Sequence, residues 1–214
     1  MIYLLSPTPK EGTHPLPMIA FHLLDVPLVV EGYDLLMFTS KQAVLSAEAL
    51  NPQWKEIPTL AIGRATAKQI EALGGRVRYL PEHFYGEVLA EDILKLFHHQ
   101  KILYIRPKEV SFDSRAFLAK AGVVLDEVII YQTVCRAYKP SDAPPKGAVI
   151  IFTSPSTIHC FFKSFVWDKS YRAVVIGEAT KRHLPHDVEV FVANEPLISS
   201  SIAKAKEVLT ANEI

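Results

Sequence analysis

The stretch Phe38-Thr39-Ser40 decides the fold, because it recurs in the chain as Phe152-Thr153-Ser154. A second stretch behaves the same way: Ile62-Gly63-Arg64-Ala65-Thr66 recurs as Ile176-Gly177-Glu178-Ala179-Thr180. Each residue of the second copy lies 114 positions after its counterpart, and the step from Phe to Ile is 24 in both copies. This period is far too long for a solenoid. It predicts two similar domains in one chain.

Each copy has the pattern of a buried strand followed by a helix. The apolar runs Leu35–Phe38 and Val149–Phe152 are typical of strands buried on both faces of a parallel sheet. The Thr-Ser pair follows, where Ser and Thr cap the free N–H groups of a helix start. Strands that alternate with helices predict an α/β chain with doubly wound parallel sheets.

The polar turns have two interpretations. They are either helix caps alone, or also a ligand site, since ligands bind at the carboxyl ends of strands in open α/β sheets and helix N-termini favour anions. Two equivalent turns in each half favour the second interpretation as much as the first. Four basic residues flank these turns: Lys41, Arg64, Arg106 and Lys181. Each either contacts a ligand or is a solvated surface charge.

The domain boundaries follow from strand length and proline content. The apolar run Val123–Arg136 is long enough to leave one domain and enter another, and three prolines follow it. We expect domain 1 at residues 1–17 and 138–214, with domain 2 at 24–130 inserted in it. Linker strands are expected at 18–23 and 131–137.

Composition excludes some classes of function. Lys+Arg and Asp+Glu both total 23, so the formal net charge is zero, which argues against a general nucleic-acid binder. No apolar run reaches the roughly 20 residues of a membrane span. Residues 1–5 are too short for a signal peptide, so we expect a cytoplasmic protein. Cys135 and Cys160 are expected to be free thiols, and no metal site is predicted.

The order of the motifs resembles that of the uroporphyrinogen-III synthase family over nearly the whole chain. The resemblance rests on the two repeated stretches and on segments that include Leu73-Gly74, Tyr85-Gly86, Ile105-Arg106 and Tyr131-Gln132-Thr133. It implies two flavodoxin-like domains joined by a two-stranded β linker, with the active site in the cleft between them.

The resemblance also implies a reaction in haem and tetrapyrrole biosynthesis. The enzyme, a lyase, cyclises and dehydrates the linear tetrapyrrole hydroxymethylbilane to uroporphyrinogen III, with inversion of ring D. The family uses no metal and no cofactor. The expected partner is this small-molecule polycarboxylate. Binding to a nucleic acid or a membrane is not expected. Transient contact with the upstream deaminase is a further expectation.

Residues at the strand ends carry the expected site. Tyr131 stands at the family position considered as the acid that helps the hydroxyl leave, since a phenol is protonated at neutral pH. The alternative is that Tyr131 only packs in the linker. The expected substrate-binding residues are Thr39, Ser40, Gly63, Thr66, Tyr85, Gly86, Arg106, Thr153, Ser154, Ser156, Gly177 and Thr180.

Two departures from the family pattern bear on these expectations. The proline-rich segment Ser6–Pro17 cannot form the first helix of domain 1, which predicts a partly uncovered sheet or a substitute cover. Pro107 stands where the family commonly has Gly, which removes a backbone donor. A rival interpretation of the whole chain is a non-catalytic, hinge-type ligand-binding or regulatory protein of the same fold.

Overall fold

The computed structural model describes residues 1–211, which fold into two compact units. Unit 1 comprises Met1–Ala20 and the described residues from Val134 onward, and unit 2 comprises Phe21–Thr133. Within these described residues, no helix has the length and apolar character to cross a membrane.

The described chain is α/β, with eleven strands and seven α-helices. The strands are β1 (Ile2–Leu4), β2 (His14–Pro15), β3 (Ile19–Leu23), β4 (Leu35–Phe38), β5 (Thr59–Ala61), β6 (Val77–Tyr79), β7 (Ile102–Pro107), β8 (Leu125–Cys135), β9 (Val149–Phe152), β10 (Arg172–Val175) and β11 (Val190–Val192). The helices are α1 (Lys41–Leu50), α2 (Arg64–Ala72), α3 (Gly86–Leu96), α4 (Ser114–Lys120), α5 (Pro155–Ser164), α6 (Glu178–Lys181) and α7 (Ile198–Thr210).

Apart from the edge strand β3, both sheets are built from parallel strands. The sheet of unit 1 has the order β2-β1-β9-β10-β11, which is 2-1-3-4-5 in its own chain order, the order of flavodoxin. The sheet of unit 2 has the order β6-β5-β4-β7-β8, with β3 beyond β8. Its parallel strands read 3-2-1-4-5 in chain order, so only unit 1 has the flavodoxin order as such.

The two sheets are nevertheless permuted versions of one another. The 114-residue offset pairs β4 with β9 and β5 with β10, and register then equates β7 with β1: Met37 pairs with Tyr104, and Ile151 pairs with Leu4. In unit 1 the strand beside the repeated strand therefore comes from the start of the chain. In unit 2 the equivalent strand, β7, comes from later in the chain than β4. The strand beside the repeated one thus occupies the same place in both sheets.

Alternation along the strands divides each core between two faces. In β7, Leu103 and Ile105 pack with the α1 and α2 side, whereas Ile102 and Tyr104 pack with the α3 and α4 side. The same alternation holds in β9, whose residues pack in turn against α7 and against α5.

The segment Ser6–Pro17 forms no helix, as expected, but unit 1 does not leave β1 bare. Ile2 and Leu4 are buried in the cluster that α7 completes. On the other face, Leu16 and Met18 enter the main core of the unit. The cover therefore comes from α7 and from the segment itself.

The chain passes between the units within β3 and β8, which are neighbours. The Leu24 N–H donates to the Ile130 carbonyl, and the Arg136 N–H donates to the Met18 carbonyl. Residue numbers rise on one strand as they fall on the other, so the two strands run antiparallel.

The expectation of free thiols is wrong, because Cys135 and Cys160 form a disulfide within unit 1. Cys135 ends β8 and Cys160 lies on the buried face of α5. Their 25-residue separation gave no sign of this, since the two meet only in the folded core of unit 1, where Cys135 packs against the cluster that contains Cys160. The Cα atoms are 5.2 Å apart, a distance that a disulfide spans.

Reduction of this bond is expected to destabilise unit 1. Closing a loop of this length lowers the conformational entropy of the unfolded chain, which stabilises the fold by about 3.5 kcal/mol in the entropic model. Urea unfolding with and without dithiothreitol measures the difference. The variant Cys135→Ala should match the reduced protein, and a reductant should have no further effect on it. Equal stability of oxidised and reduced wild type would contradict the prediction.

Candidate functional site

The polar turns of unit 2 gather at one edge of its sheet. Thr39 and Ser40 follow β4, Gly63 follows β5, and Arg106 lies near the end of β7. These strands are parallel neighbours, so their carboxyl ends share an edge. Helices α1 and α2 start there, and their first N–H groups have no partner within the helix.

Ser40 is both a helix cap and the partner of Tyr131. Its Oγ accepts the Ala43 N–H at 3.0 Å and lies 2.8 Å from the Tyr131 hydroxyl. Tyr131 is 3% exposed, and the Phe21 ring packs edge-on against it. The structure therefore places the expected acid against the expected substrate-binding turn.

Thr39 has a tyrosine partner of its own. Its Oγ1 lies 2.7 Å from the hydroxyl of Tyr104, which is 1% exposed. Sequence analysis did not single out Tyr104, because one aromatic residue in an apolar strand resembles ordinary core. The pairing of β4 with β7 is what brings Tyr104 close to Thr39.

The two tyrosines reach the turn from opposite faces of the sheet. Tyr104 belongs to the core on the α3 and α4 side, and Tyr131 belongs to the core on the α1 and α2 side. A register irregularity at Arg106 and Pro107 shifts the pairing of β8, so that Tyr131 follows Ile130 into the same core. The Thr39-Ser40 turn is thus fixed on both sides.

Burial raises the pKa of both phenols. The pKa of Tyr104 rises to about 12, mainly through desolvation, which the Thr39 hydrogen bond partly opposes. Desolvation also raises the pKa of Tyr131, and the Ser40 hydrogen bond acts in the other direction. Both groups are therefore proton donors at neutral pH.

Glycines at two turns permit close packing of aromatic rings. A Cβ at Gly63 would lie 3.3 Å from Phe84, and a Cβ at Gly86 would lie 3.0 Å from Phe112. The Arg64 guanidinium stands 5.9 Å from the centre of the Phe84 ring. Tyr85, the residue before α3, is 70% exposed, so its side chain is accessible to a ligand.

The guanidinium of Arg106 bonds to other residues of unit 2. Its Nε lies 3.1 Å from Glu127 in an ion pair rather than a formed hydrogen bond, and its Nη atoms donate to Glu127 and to the carbonyls of Pro107 and Lys108. The guanidinium therefore holds the turn after β7. Pro107 extends that strand, and the carbonyl of Tyr131 accepts the Lys108 N–H.

Unit 1 presents the equivalent turns at the carboxyl edge of its own sheet. Ser154 caps α5 through a capping box, in which its Oγ accepts the Thr157 N–H and its N–H donates to Thr157 Oγ1. Thr153 and Ser156 flank this cap, and Gly177 precedes α6. Thr180 is buried like its counterpart Thr66.

One groove of unit 1 lies away from these turns. It has a volume of about 450 Å³ and is lined by residues that include Ala143, Phe162 and Trp167. Ala143 precedes β9 and Trp167 precedes β10, which places the groove at the amino edge of the sheet. It is therefore separate from the turns that the repeat identifies.

Comparison with known proteins assigns the family. The model of the family described as uroporphyrinogen-III synthase HemD matches residues 13–203. The chain belongs to the uroporphyrinogen-III synthase HemD family. A uroporphyrinogen-III synthase of Synechococcus elongatus is 27% identical over 147 residues, and the match covers 62% of this chain and 54% of that protein. The chain thus spans about half the length of this curated relative.

Solved structures agree on the fold of this HemD family member. A uroporphyrinogen-III synthetase from Helicobacter pylori has a TM-score of 0.83 at 22% identity, over 97% of this chain and 98% of that chain. A mutant uroporphyrinogen III synthase from Thermus thermophilus has a TM-score of 0.57 at 14% identity, over 98% of each chain.

Removing the two cap serines should separate their roles in this family member. Both Ser40→Ala and Ser154→Ala lose an N-cap, at a cost of about 1 kcal/mol. Ser40→Ala also leaves the Tyr131 hydroxyl buried without its partner, which adds about 1–3 kcal/mol. Urea unfolding should show the larger loss for Ser40→Ala. That excess should shrink in a Tyr131→Phe background, and an unchanged excess would contradict the hydrogen bond.

The raised pKa of Tyr104 predicts a loss of stability at high pH. The unfolded phenol loses its proton near its ordinary pKa of 10.0, whereas the folded one holds it to about 12. Stability from this group is therefore full below pH 10 and falls as the pH rises towards 12. Urea unfolding across this range should show a flatter decline for Tyr104→Phe than for wild type. Equal slopes would refute the shift.

Proposed function

We propose that this chain is a uroporphyrinogen-III synthase, which cyclises and dehydrates hydroxymethylbilane to uroporphyrinogen III with inversion of ring D. The observation that carries the proposal is the Tyr131–Ser40 contact in a chain of the HemD family. It places a buried proton donor against a turn at the strand ends, where open α/β sheets bind ligands.

Tyr131 acts as the general acid in this proposal. Its proton passes to the hydroxyl of the bilane as the C–O bond breaks, and the electron pair leaves with the oxygen as water. The pyrrole nitrogen supplies electrons to the carbon left behind, which becomes an azafulvenium cation. The route continues through a spiro intermediate, in which ring D is inverted. Ring closure then releases a proton from the pyrrole carbon that attacks, and this proton restores the phenol.

Ser40 supports both states of the phenol. Its Oγ already accepts the Ala43 N–H, so its own proton is free to point at the Tyr131 oxygen. Tyr131 then keeps its proton for the substrate. When Tyr131 becomes a phenolate, the Ser40 hydroxyl donates to it, which lowers the cost of the charged state.

Turn amides and hydroxyls bind the carboxylates of the substrate. Helix starts favour anions through free N–H groups and the helix dipole, so a chain of zero net charge can hold a polyacid. In unit 2 the proposed binding residues are Thr39, Ser40, Gly63, Thr66, Tyr85, Gly86 and Arg106. In unit 1 they are Thr153, Ser154, Ser156, Gly177 and Thr180. Arg106 contributes least directly, because Glu127 already holds it.

The remaining expectations stay proposals. The two units are two flavodoxin-like domains joined by the strands β3 and β8, and the substrate arrives from the deaminase that makes the bilane. A cytoplasmic location also remains proposed. The Cys135–Cys160 disulfide bears on it, because such bonds are rare in a reducing compartment.

The activity is tested by adding the purified chain to hydroxymethylbilane generated in situ. Because the bilane also closes unaided to the type I isomer, the products are oxidised and the isomers are separated. We expect the type III isomer in excess over the unaided background. A product mixture equal to the background would favour the rival interpretation, a non-catalytic binding or regulatory protein.

Replacement of Tyr131 tests its role as the acid. Tyr131→Phe should lower kcat by about 100-fold, the lower range for a lost general acid, while the product stays type III because the substrate is still folded correctly. Tyr138→Phe is the matched control, since it removes a hydroxyl bonded to the Pro17 carbonyl in unit 1. Wild-type turnover by Tyr131→Phe would remove Tyr131 from the mechanism.

A further inference from the structure

We propose that Tyr104 is a positioning residue that turns Thr39 into a dedicated hydrogen-bond donor for a substrate carboxylate. The inference deepens the proposed function and rests on it for the identity of the carboxylate. Its evidence is the contact between the Tyr104 hydroxyl and Thr39 Oγ1 at 2.7 Å, at the turn that carries Ser40.

The direction of this hydrogen bond follows from the surroundings of the phenol. Tyr104 has one proton to donate and is sealed in the core between β4 and the helices α3 and α4. Thr39 is half-buried, at the end of the strand. Among the described residues, Thr39 Oγ1 is the acceptor that the buried Tyr104 hydroxyl meets, so Tyr104 donates and Thr39 accepts. The proton of Thr39 is then left to point out of the turn.

The duplicated unit supplies an internal comparison. Sheet register equates Tyr104 with Leu4 of unit 1, because Met37 pairs with Tyr104 and its repeat partner Ile151 pairs with Leu4. Leu4 is fully buried, so this position of the sheet is filled by an apolar residue in the sister unit. The fold therefore does not require a hydroxyl here. Burying one costs free energy unless it is hydrogen-bonded, and Thr39 is the partner.

The charged neighbours of Tyr104 leave this geometry intact. Arg106 and Glu127 both act on the phenol, in opposite directions, and they are paired with each other at 3.1 Å. Neither replaces Thr39 as its hydrogen-bond partner. The hydroxyl of Thr39 is thus held by a neutral donor, and its outward proton is free to meet an anion.

The test compares Tyr104→Phe, Thr39→Val and the double variant in the assay for type III product. If Tyr104 acts through Thr39, each single change should raise KM about tenfold, as expected for one lost hydrogen bond to a charged group, with kcat changed less than twofold. The double variant should match Thr39→Val, because the lost interaction is the same. Thermal unfolding reports folding separately.

The matched control is Tyr33→Phe. It removes a tyrosine hydroxyl bonded to Asp126 at 3.1 Å in the same unit, but at the amino edge of the sheet. This variant should keep the wild-type KM, whatever it does to the melting temperature. If Tyr104→Phe behaves like Tyr33→Phe, or if the effects of Tyr104→Phe and Thr39→Val add, the positioning role is wrong.

Two further measurements keep the outcomes distinct. Thr39→Val alters one side chain at the surface of the turn, so a wild-type KM for this variant overturns the inference even if Tyr104→Phe does not fold.

Uroporphyrin III, an octacarboxylate, serves as an equilibrium probe that needs no turnover. If the wild type makes no type III product, the proposed function fails. Weaker binding of this probe by both single variants then still supports Tyr104, and equal binding sinks it.

Discussion

The structure of unit 2 depends on two buried phenol hydroxyls that hold one turn from opposite faces of the sheet. Consecutive extended residues point to opposite sides of a strand, so Thr39 and Ser40 require two different partners. Tyr104 of β7 supplies the first and Tyr131 of β8 supplies the second. A phenol without its partner would leave a buried polar group unsatisfied, at about 1–3 kcal/mol. The turn therefore has one favoured geometry.

The duplication explains why such a turn exists twice. Both units place the repeated strand between parallel neighbours, and both start a helix directly after it. The neighbours come from different parts of the chain, since β1 and β7 occupy equivalent positions. Their residues have diverged accordingly: β1 supplies Leu4 where β7 supplies Tyr104. The shared architecture therefore sets the position of the turns. The neighbouring strand, β1 or β7, sets which side chain lies beside each turn.

Much of the fold was accessible from the sequence because its signals are local. Strand β4 was predicted at its observed bounds and helix α1 at its observed start, since an apolar run and a cap serine mark them. The residues that sequence analysis missed depend on interactions distant in the chain. The partner of Thr39 is 65 residues away, and the disulfide joins a strand end to a helix face. The ion pair of Arg106 with Glu127 is likewise set by strand pairing. The sequence therefore showed the charge of Arg106 but not its partner.

The two units hold the equivalent cap serine through different hydrogen bonds. In unit 1, Ser154 exchanges hydrogen bonds with Thr157 only three residues away, so its turn is held by its own helix. In unit 2, Ser40 accepts the Ala43 N–H and also bonds the hydroxyl of Tyr131, 91 residues away on β8. A turn held by its helix moves with that helix, whereas a turn held by two strands moves only with the sheet. Proton transfer requires donor and acceptor within hydrogen-bond reach. The turn held by two strands is therefore the better place for a proton donor, and the proposed acid, Tyr131, lies in that unit.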